Sequence, residues 1–348
     1  MNIIFRMKQG KCILFGEHFI RNDCDAIVLP LQKEITIEIK EEIKNDNNNK
    51  TDKKRKKLEI YNEKNEKIKN DNYNQALSEE AIKSIEQKLK IISKDKILLY
   101  TVTTNMPINT GLGSSAGFCV GIIRSLQEKY QLTLTKKQIF TLAKETENLF
   151  HKNTSGIDII ITMLQKPMIV SNKKEQLKIK TIESNKINNN NEDNNDDNEF
   201  QFILINAGTK IATKEIIMQV IEYEKKNKEK FNKLKINYQK IIKRGIEIIN
   251  NQDNKKNNED ENNNENNKII KIKELGQLMN QNHLLLKELG LSNQKIEEIR
   301  EFAFQNNARG AKITGAGCGG HVLILTAPEN RAVLLNKFKE KGYEGFTT

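Results

Sequence analysis

The chain has 348 residues, which is enough for two domains, although only 36% of them are apolar and none is Trp. Lys and Arg outnumber Asp and Glu by 58 to 46, so the formal net charge is +12. This excess fits a nucleic acid, an anionic membrane surface or an anionic small substrate as a partner. No apolar run approaches the roughly 20 residues of a membrane-spanning helix, and no secretory signal is expected.

The cysteines and histidines exclude two further classes of protein. The four cysteines are far apart and include no CxxC pair, which predicts reduced thiols in a cytoplasmic protein rather than a disulfide framework. The four histidines form no HExxH motif and no cluster with the cysteines. A zinc site is therefore not expected.

Low-complexity tracts divide the chain. Asn, Lys, Asp and Glu dominate residues 45–57, 185–198 and 250–267. These tracts have too few apolar side chains to offset the entropy of ordering them, so we expect solvated loop insertions. The organisation predicted is an N-terminal domain over residues 1–184, with an insertion at about 41–72, then the low-complexity insertion 185–198, and a C-terminal domain over residues 199–348.

Strands and helices alternate in the remaining sequence. The content of β-branched and aromatic residues predicts strands at residues 58–64, 97–107 and 202–208. Apolar residues at helical spacing predict a helix over residues 115–130, and further helices are predicted over residues 135–150 and 213–226. Thr135 is the candidate N-cap of the second of these helices.

A glycine-containing loop, PINTGLGSSA at residues 107–116, joins a predicted strand to a predicted helix. Gly111 and Gly113 allow positive φ angles and a close approach of the backbone to a ligand. Ser114 and Ser115 lie where the helix begins, at the positive end of its dipole, which favours phosphate binding. An ordinary strand-to-helix turn with a serine cap is the alternative. The loop matches neither GxxxxGK[ST] nor GxGxxG.

Two other segments combine glycines with polar residues. KCILFGEH at residues 11–18 is a short apolar strand that follows Lys11 and ends in Gly16, Glu17 and His18. KITGAGCGGH at residues 312–321 has four glycines within six residues between two strand-like runs. Such a density of glycine predicts a tight turn or a close approach to a ligand.

In this order the three segments resemble the signature motifs of the GHMP kinases, and the resemblance extends over nearly the whole chain outside the insertions. Residues 151–158, 206–214 and 280–292 resemble the mevalonate kinase family in particular. The resemblance implies an α+β, two-domain GHMP kinase fold. Its N-terminal domain would be ribosomal protein S5 domain 2-like and its C-terminal domain ferredoxin-like.

The resemblance also implies an activity, the ATP-dependent phosphorylation of mevalonate to 5-phosphomevalonate in isoprenoid biosynthesis. Asp158 would act as the general base, with Lys11 beside it to stabilise charge. Ser115 and Glu147 match the ligands of Mg²⁺. Acceptor contact or support is implied for Glu17, His18 and Thr213. ATP binding is implied for Pro107, Asn109, Gly111, Leu112, Gly113, Ser114, Ser115, Ala116, Gly315 and Gly317.

Departures from the family pattern leave the acceptor less determined than the kinase class. Asn and Thr at residues 109–110 replace Gly-Ala, Thr154 stands where Pro is common, and RNDCD at residues 21–25 replaces a turn near the acceptor. The alternatives are phosphomevalonate kinase, another GHMP small-molecule kinase, and a diphosphomevalonate decarboxylase of the same fold. A catalytically inactive sensor and a nucleic-acid-binding protein are remoter alternatives.

Mevalonate and ATP are thus the expected small-molecule partners, with Mg²⁺ as the cofactor. We expect no nucleic acid partner, because few aromatic residues accompany the basic runs. We also expect no membrane association and a cytoplasmic location. The sequence leaves the assembly state open, with a homodimer as one option.

Overall fold

The computed structural model describes most of the chain. The described residues are 2–43, 57–68, 72–91, 96–107, 110–151, 154–173, 176–182, 200–208, 213–250 and 261–348. Within them, the strands are β1 (Ile3–Phe15), β2 (Asp25–Ile43), β3 (Leu58–Asn62), β4 (Lys96–Thr104), β5 (Met168–Lys173), β6 (Gln176–Thr181), β7 (Gln201–Asn206), β8 (Gly310–Thr314), β9 (His321–Thr326) and β10 (Gly345–Thr347). The α-helices are α1 (Asn72–Lys88), α2 (Ser114–Lys129), α3 (Lys136–Glu147), α4 (Ile157–Leu164), α5 (Thr213–Lys226), α6 (Lys228–Asn250), α7 (Glu261–Glu288), α8 (Gln294–Gln305) and α9 (Arg331–Glu340).

The chain folds into two compact units. The first unit comprises Met1–Lys11, Leu31–Asn109 and Gly113–Gln165. The second unit comprises Cys12–Pro30, Thr110–Leu112 and Lys166–Thr348. The predicted two-domain α+β fold is confirmed, while the linear boundary predicted at residues 185–198 lies outside the described residues and stays a prediction.

The core of the first unit forms between strands and helices. In β2, residues Ile35–Ile43 pair antiparallel with β4, and β4 pairs in parallel with β3. Alternate residues of β2, Ile35 and Ile37 among them, are buried against the apolar side of α2. A Cβ added at Gly121 would lie 2.7 Å from Ile37 Cδ1, so this glycine lets α2 lie close to the sheet. The close packing fixes the position of α2 on the sheet.

The second unit contains a four-stranded antiparallel sheet in the order β10-β7-β9-β8. Strands β7, β8 and β9 are buried along nearly their whole length, as their continuous apolar runs predict. With helices between β7 and β8 and α9 between β9 and β10, the chain follows the β-α-β-β-α-β plan of a ferredoxin-like domain. The same unit also holds the β5–β6 hairpin, which pairs with residues 25–28 of β2.

Several local predictions are confirmed. Helix α5 has the bounds predicted for it, and α2 differs from its prediction by one residue at each end. Thr135 is the N-cap of α3 in a capping box with Gln138. The strand predicted at residues 12–15 is too short, because β1 already begins at Ile3. Its first part alternates half-buried and exposed residues, which is typical of a strand with one face covered.

The prediction that residues 250–267 form a loop is wrong at both ends. Helix α6 continues to Asn250, and α7 begins at Glu261. Buried residues further along α7, such as Leu275 and Met279, anchor that helix, and each residue added to a packed helix gains a hydrogen bond. Residues 251–260 of this tract lie outside the described residues, as do residues 45–56 and 185–198 of the other two tracts.

None of the four cysteines, Cys12, Cys24, Cys119 and Cys318, forms a disulfide in the structure. Among the described residues, no helix is both long and apolar enough to cross a membrane. The part of the chain that the structure describes also has no group of three or more His, Cys, Asp or Glu residues arranged to hold a metal ion.

Candidate active site

The glycine loop ends at the N-terminus of helix α2, which has no side-chain cap. Gly113 is the N-cap residue and has φ +89, so it adopts a backbone conformation that side chains disfavour and offers no side chain to cap the helix. Gly111 has φ +78 and is exposed. Ser114 and Ser115 form the first turn of α2 and are half-buried, with Ala116 buried behind them. The first N–H groups of a helix without a side-chain cap are suited to bind a phosphate.

Lys11 and Asp158 meet beside this glycine. Lys11 Nζ lies 3.5 Å from Asp158 Oδ1, and their side chains are 11% and 31% exposed. A Cβ added at Gly113 would lie 3.5 Å from Lys11 Cγ and 3.6 Å from Asp158 Oδ2. The structure therefore brings the predicted base, the predicted lysine and Gly113 of the predicted phosphate loop into one cluster within the first unit.

Helix α4 determines where Asp158 lies. Asp158 is in the first turn of α4, where the positive end of the helix dipole is favourable for a carboxylate. The N-cap of α4 is Gly156, with φ +80, and a Cβ added there would lie 2.9 Å from Phe140 Cζ. A glycine at this position thus allows α4 to begin against the side of α3.

Glu147 is a buried carboxylate at the end of α3, with 1% of the residue exposed. Ser115 Oγ donates a hydrogen bond to Glu147 Oε1 over 3.3 Å, and Thr154 Oγ1 donates one to Oε2 over 2.7 Å. Burial and the nearby charge of Asp158 raise the pKa of Glu147 to about 7, and the two hydrogen bonds oppose that rise. Burial of Glu147 near the charge of Asp158 is therefore unfavourable for the ionised form of Glu147.

This set of groups fits a magnesium ion. A carboxylate and a hydroxyl are oxygen donors of the kind that Mg²⁺ prefers, and Glu147 and Ser115 already lie within hydrogen-bond distance of each other. A cation at Glu147 would also offset its repulsion with Asp158. Magnesium in kinases is commonly held by one or two protein ligands together with water and substrate phosphates.

Sequence reasoning missed two residues of the cluster. His151 Nε2 lies 3.1 Å from Ser115 Oγ, and Thr154 contacts Glu147 through its hydroxyl. Thr154 drew notice only as a departure from the family pattern. The available signal was its position, a hydroxyl residue between the end of one predicted helix and the predicted base.

In the second unit, the predicted acceptor residue Glu17 is paired with Lys312. Lys312 Nζ donates to Glu17 Oε1 and, over 2.6 Å, to the carbonyl of Ile313. The backbone N–H of Gly16 donates to Glu17 Oε2 over 3.1 Å, and both charged side chains are 0% exposed. Burial raises the pKa of Glu17 and lowers that of Lys312, while their mutual attraction opposes both shifts.

The glycine-rich segment after β8 has the backbone-driven structure that the sequence predicts. Gly315 and Gly317 have φ +87 and +91, and a Cβ added at Gly317 would lie 2.8 Å from the carbonyl oxygen of Leu291. His18 Nε2 lies 2.8 Å from the carbonyl oxygen of Ala316. Burial lowers the pKa of His18, so the ring is a neutral partner for this turn at neutral pH.

The remaining predicted residues lie as follows. Pro107 is half-buried after β4, Leu112 is buried, and Thr213 is exposed as the first residue of α5. Asn109 lies outside the described residues. The roles assigned to these residues, like the ligand roles of the other site residues, stay predictions.

Family models match both parts of the chain. The GHMP kinases N terminal domain model matches residues 76–166, and the GHMP kinases C terminal model matches residues 266–344. The chain is therefore similar to the GHMP kinases in both of these parts, which agrees with its two-domain fold and its three motifs.

Within that class the chain is similar to mevalonate kinases. It is 26% identical to the mevalonate kinase of Thermococcus sibiricus over 249 residues, which are 72% of this chain and 66% of that enzyme, so it spans slightly less than two thirds of that relative. It is 28% identical to the mevalonate kinase of Methanocaldococcus jannaschii over 343 residues, which are 95% of each chain.

Solved structures share the fold. The L. major mevalonate kinase in complex with R-mevalonate superposes with a TM-score of 0.76 at 21% identity, covering 98% of this chain and 94% of that one. A Streptococcus pneumoniae phosphomevalonate kinase superposes with a TM-score of 0.64 at 14% identity, covering 99% and 100%. The fold is therefore common to kinases with different acceptors.

Proposed function

We propose that the chain transfers the γ-phosphoryl group of ATP to the primary hydroxyl of mevalonate and forms 5-phosphomevalonate. The observation that supports this most directly is the Lys11–Asp158 pair beside the uncapped N-terminus of α2. A base, a cation and a phosphate-binding helix end are the groups that transfer to an alcohol requires. The mevalonate kinases among the relatives support the choice of acceptor.

Asp158 and Lys11 would act on the acceptor hydroxyl. The alcohol oxygen forms a bond to the γ-phosphorus while the bond from that phosphorus to the bridging oxygen of ADP breaks. The hydroxyl proton passes to a carboxylate oxygen of Asp158. The ammonium of Lys11 stabilises negative charge on the attacking oxygen and on the transferred group. ADP departs with the electron pair of the broken bond.

The start of α2 would bind the phosphates of ATP. The N–H groups of its first turn, that of Ser114 among them, would donate to phosphate oxygens, and the positive end of the helix dipole favours their negative charge. Ser115 and Glu147 would hold Mg²⁺, which supplies neutralisation of phosphate charge when bound. Hydrogen bonds from Ser115 and Thr154 hold the buried carboxylate of Glu147 in one orientation.

Residues of the second unit would have supporting roles. Since Glu17 is enclosed with Lys312, we propose that it supports the acceptor residues by fixing the backbone around Gly16 and His18. We assign His18 and Thr213 to acceptor recognition, and Gly315 with Gly317 to nucleotide binding. We also propose a cytoplasmic location and retain a homodimer as the assembly to test, for which sedimentation velocity is the direct measurement.

An acceptor panel tests the proposed function. Purified protein with Mg-ATP is given mevalonate, phosphomevalonate, galactose or homoserine, and ADP release is followed by a coupled assay. We expect release with mevalonate, and a product phosphorylated on the terminal hydroxyl by ³¹P NMR. ADP release with phosphomevalonate alone would show that phosphomevalonate, and not mevalonate, is the acceptor, and the assignment as a kinase would stand. Release of CO₂ with ATP consumption would indicate a decarboxylase instead, and silence with all four would contradict the proposal.

A further inference from the structure

The segment between α3 and α4 connects the predicted metal ligand to the predicted base. Glu147 ends α3, and Asp158 lies in the first turn of α4. Between them, the backbone N–H of Thr154 donates to Asn148 Oδ1 over 3.1 Å, which joins the segment to the C-cap of α3. Thr154 is therefore held at the C-terminal end of α3, where Glu147 lies.

The hydroxyl of Thr154 makes two hydrogen bonds, one as a donor and one as an acceptor. It donates to Glu147 Oε2 over 2.7 Å, and it accepts from the backbone N–H of Gly156 over 3.3 Å. Gly156 is the N-cap residue of α4, so the same oxygen touches the carboxylate at the end of one helix and the backbone at the start of the next. A hydroxyl can donate and accept at once, which an apolar side chain of the same shape cannot do.

We propose that Thr154 is a positioning residue that holds Glu147 in the orientation for the metal and fixes the start of the helix that bears Asp158. The inference rests on the proposed function, because it assigns the metal to Glu147. Ser115 already bonds Oε1, so the bond from Thr154 to Oε2 sets the rotation of the carboxylate about its axis. Hydrogen bonds of this kind orient metal-ligating carboxylates and affect metal affinity.

The test replaces Thr154 by Val, which keeps the shape and removes the hydroxyl, and by Ser, which keeps the hydroxyl. The matched control is Thr162→Val on α4, since Thr162 is buried and its Oγ1 has no hydrogen-bond partner among the described residues. The probe is Mn²⁺ with ADP, and the free Mn²⁺ is measured by electron paramagnetic resonance. KM for Mg-ATP and kcat are measured on the same proteins.

We expect Thr154→Val to weaken Mn²⁺ binding by about 10-fold, with a matching rise in KM for Mg-ATP. Thr154→Ser and Thr162→Val should bind Mn²⁺ like the unaltered protein. Equal Mn²⁺ affinity in Thr154→Val and the unaltered protein would overturn the inference, as would equal weakening in Thr162→Val. If Thr154→Val weakens Mn²⁺ binding but the unaltered protein does not phosphorylate mevalonate, the positioning role of Thr154 is supported and only mevalonate is rejected as the acceptor. No Mn²⁺ binding by the unaltered protein would overturn the inference.

Discussion

Two lysine–carboxylate pairs of this chain have the same charges and opposite surroundings. The partly exposed pair, Lys11–Asp158, has a separation of 3.5 Å and side chains 11% and 31% exposed. The buried pair, Glu17–Lys312, has side chains that are 0% exposed and adds hydrogen bonds to the backbone at Gly16 and Ile313. Charge alone does not distinguish a catalytic pair from a structural one.

The two pairs differ in how many oxygens of the carboxylate already accept a hydrogen bond. In the buried pair both oxygens of Glu17 have donors, so a substrate could reach neither without breaking the pair. In the partly exposed pair the separation exceeds the roughly 2.7–2.9 Å of a charge-assisted hydrogen bond, which leaves Asp158 able to accept from a substrate hydroxyl. We therefore assign chemistry to the first pair and stability to the second.

The largest expected effect is on turnover by Asp158→Asn. The amide cannot accept the hydroxyl proton, so kcat should fall by roughly 10²–10⁴-fold, the range for loss of a general base. ATP binding, measured by isothermal titration calorimetry, should change little, and the urea midpoint should not fall, because the substitution removes the repulsion with Glu147. An active Asn variant would remove Asp158 as the base.

A large loss of stability is expected from Lys312→Met. The change leaves Glu17 buried without its cation, which should lower the free energy of unfolding by about 3–5 kcal/mol in urea titrations. The double variant Glu17→Leu with Lys312→Met should recover much of this loss, because it removes both charges. A single variant as stable as the unaltered protein would contradict the structural assignment of the buried pair.

Lys11→Met should act mainly on catalysis. Loss of a preorganised cation that stabilises developing charge should lower kcat by about 10²–10³-fold. The control is Lys8→Met on the same strand, since Lys8 pairs with Glu34 at the surface. A surface pair contributes little, so this control should keep its activity and stability. Equal effects of the two substitutions would show that Lys11 has no special role.

The smallest expected effect is a change in pH dependence caused by Glu147→Gln. In the folded protein the pKa of Glu147 is about 7, so the carboxyl group keeps its proton up to about that pH. In the unfolded chain the group has the pKa of an ordinary glutamate, 4.5, and loses its proton at lower pH. This group therefore makes the stability of the metal-free protein fall as pH rises between these values. Removing the charge should stabilise the protein at pH 8 by on the order of 1–3 kcal/mol.

Denaturation in EDTA from pH 4 to pH 8 measures this effect. The control is Glu145→Gln on the same helix, since that side chain is 50% exposed. The control should keep the pH slope of the unaltered protein, and Glu147→Gln should flatten it. An unchanged slope in Glu147→Gln would show that burial does not raise the pKa of Glu147.

Much of the fold and part of the site follow from local sequence. The period of apolar residues gives α2, and the density of glycine gives the positive φ angles at Gly315 and Gly317. The motif resemblance placed Lys11 and Asp158 together. These features depend on short segments or on motifs that keep their order.

The features that escaped prediction depend on contacts between distant residues. Glu17 and Lys312 are 295 positions apart, and no local pattern indicates that they pair. The hydroxyl of Thr154 has a role only because α3 and α4 meet at that segment. The early start of α7 depends on the packing of its later residues, which composition of the Asn-rich tract does not reveal.

One side-by-side measurement tests the contrast between the pairs most directly. Asp158→Asn and Glu17→Gln are assayed for kcat with mevalonate and Mg-ATP, and for their urea midpoints, at a temperature where both are folded. The account predicts a low kcat without a lowered midpoint for Asp158→Asn, and a lowered midpoint with most of kcat retained for Glu17→Gln. The reverse pattern, or loss of kcat in Glu17→Gln without a change in midpoint, would contradict it.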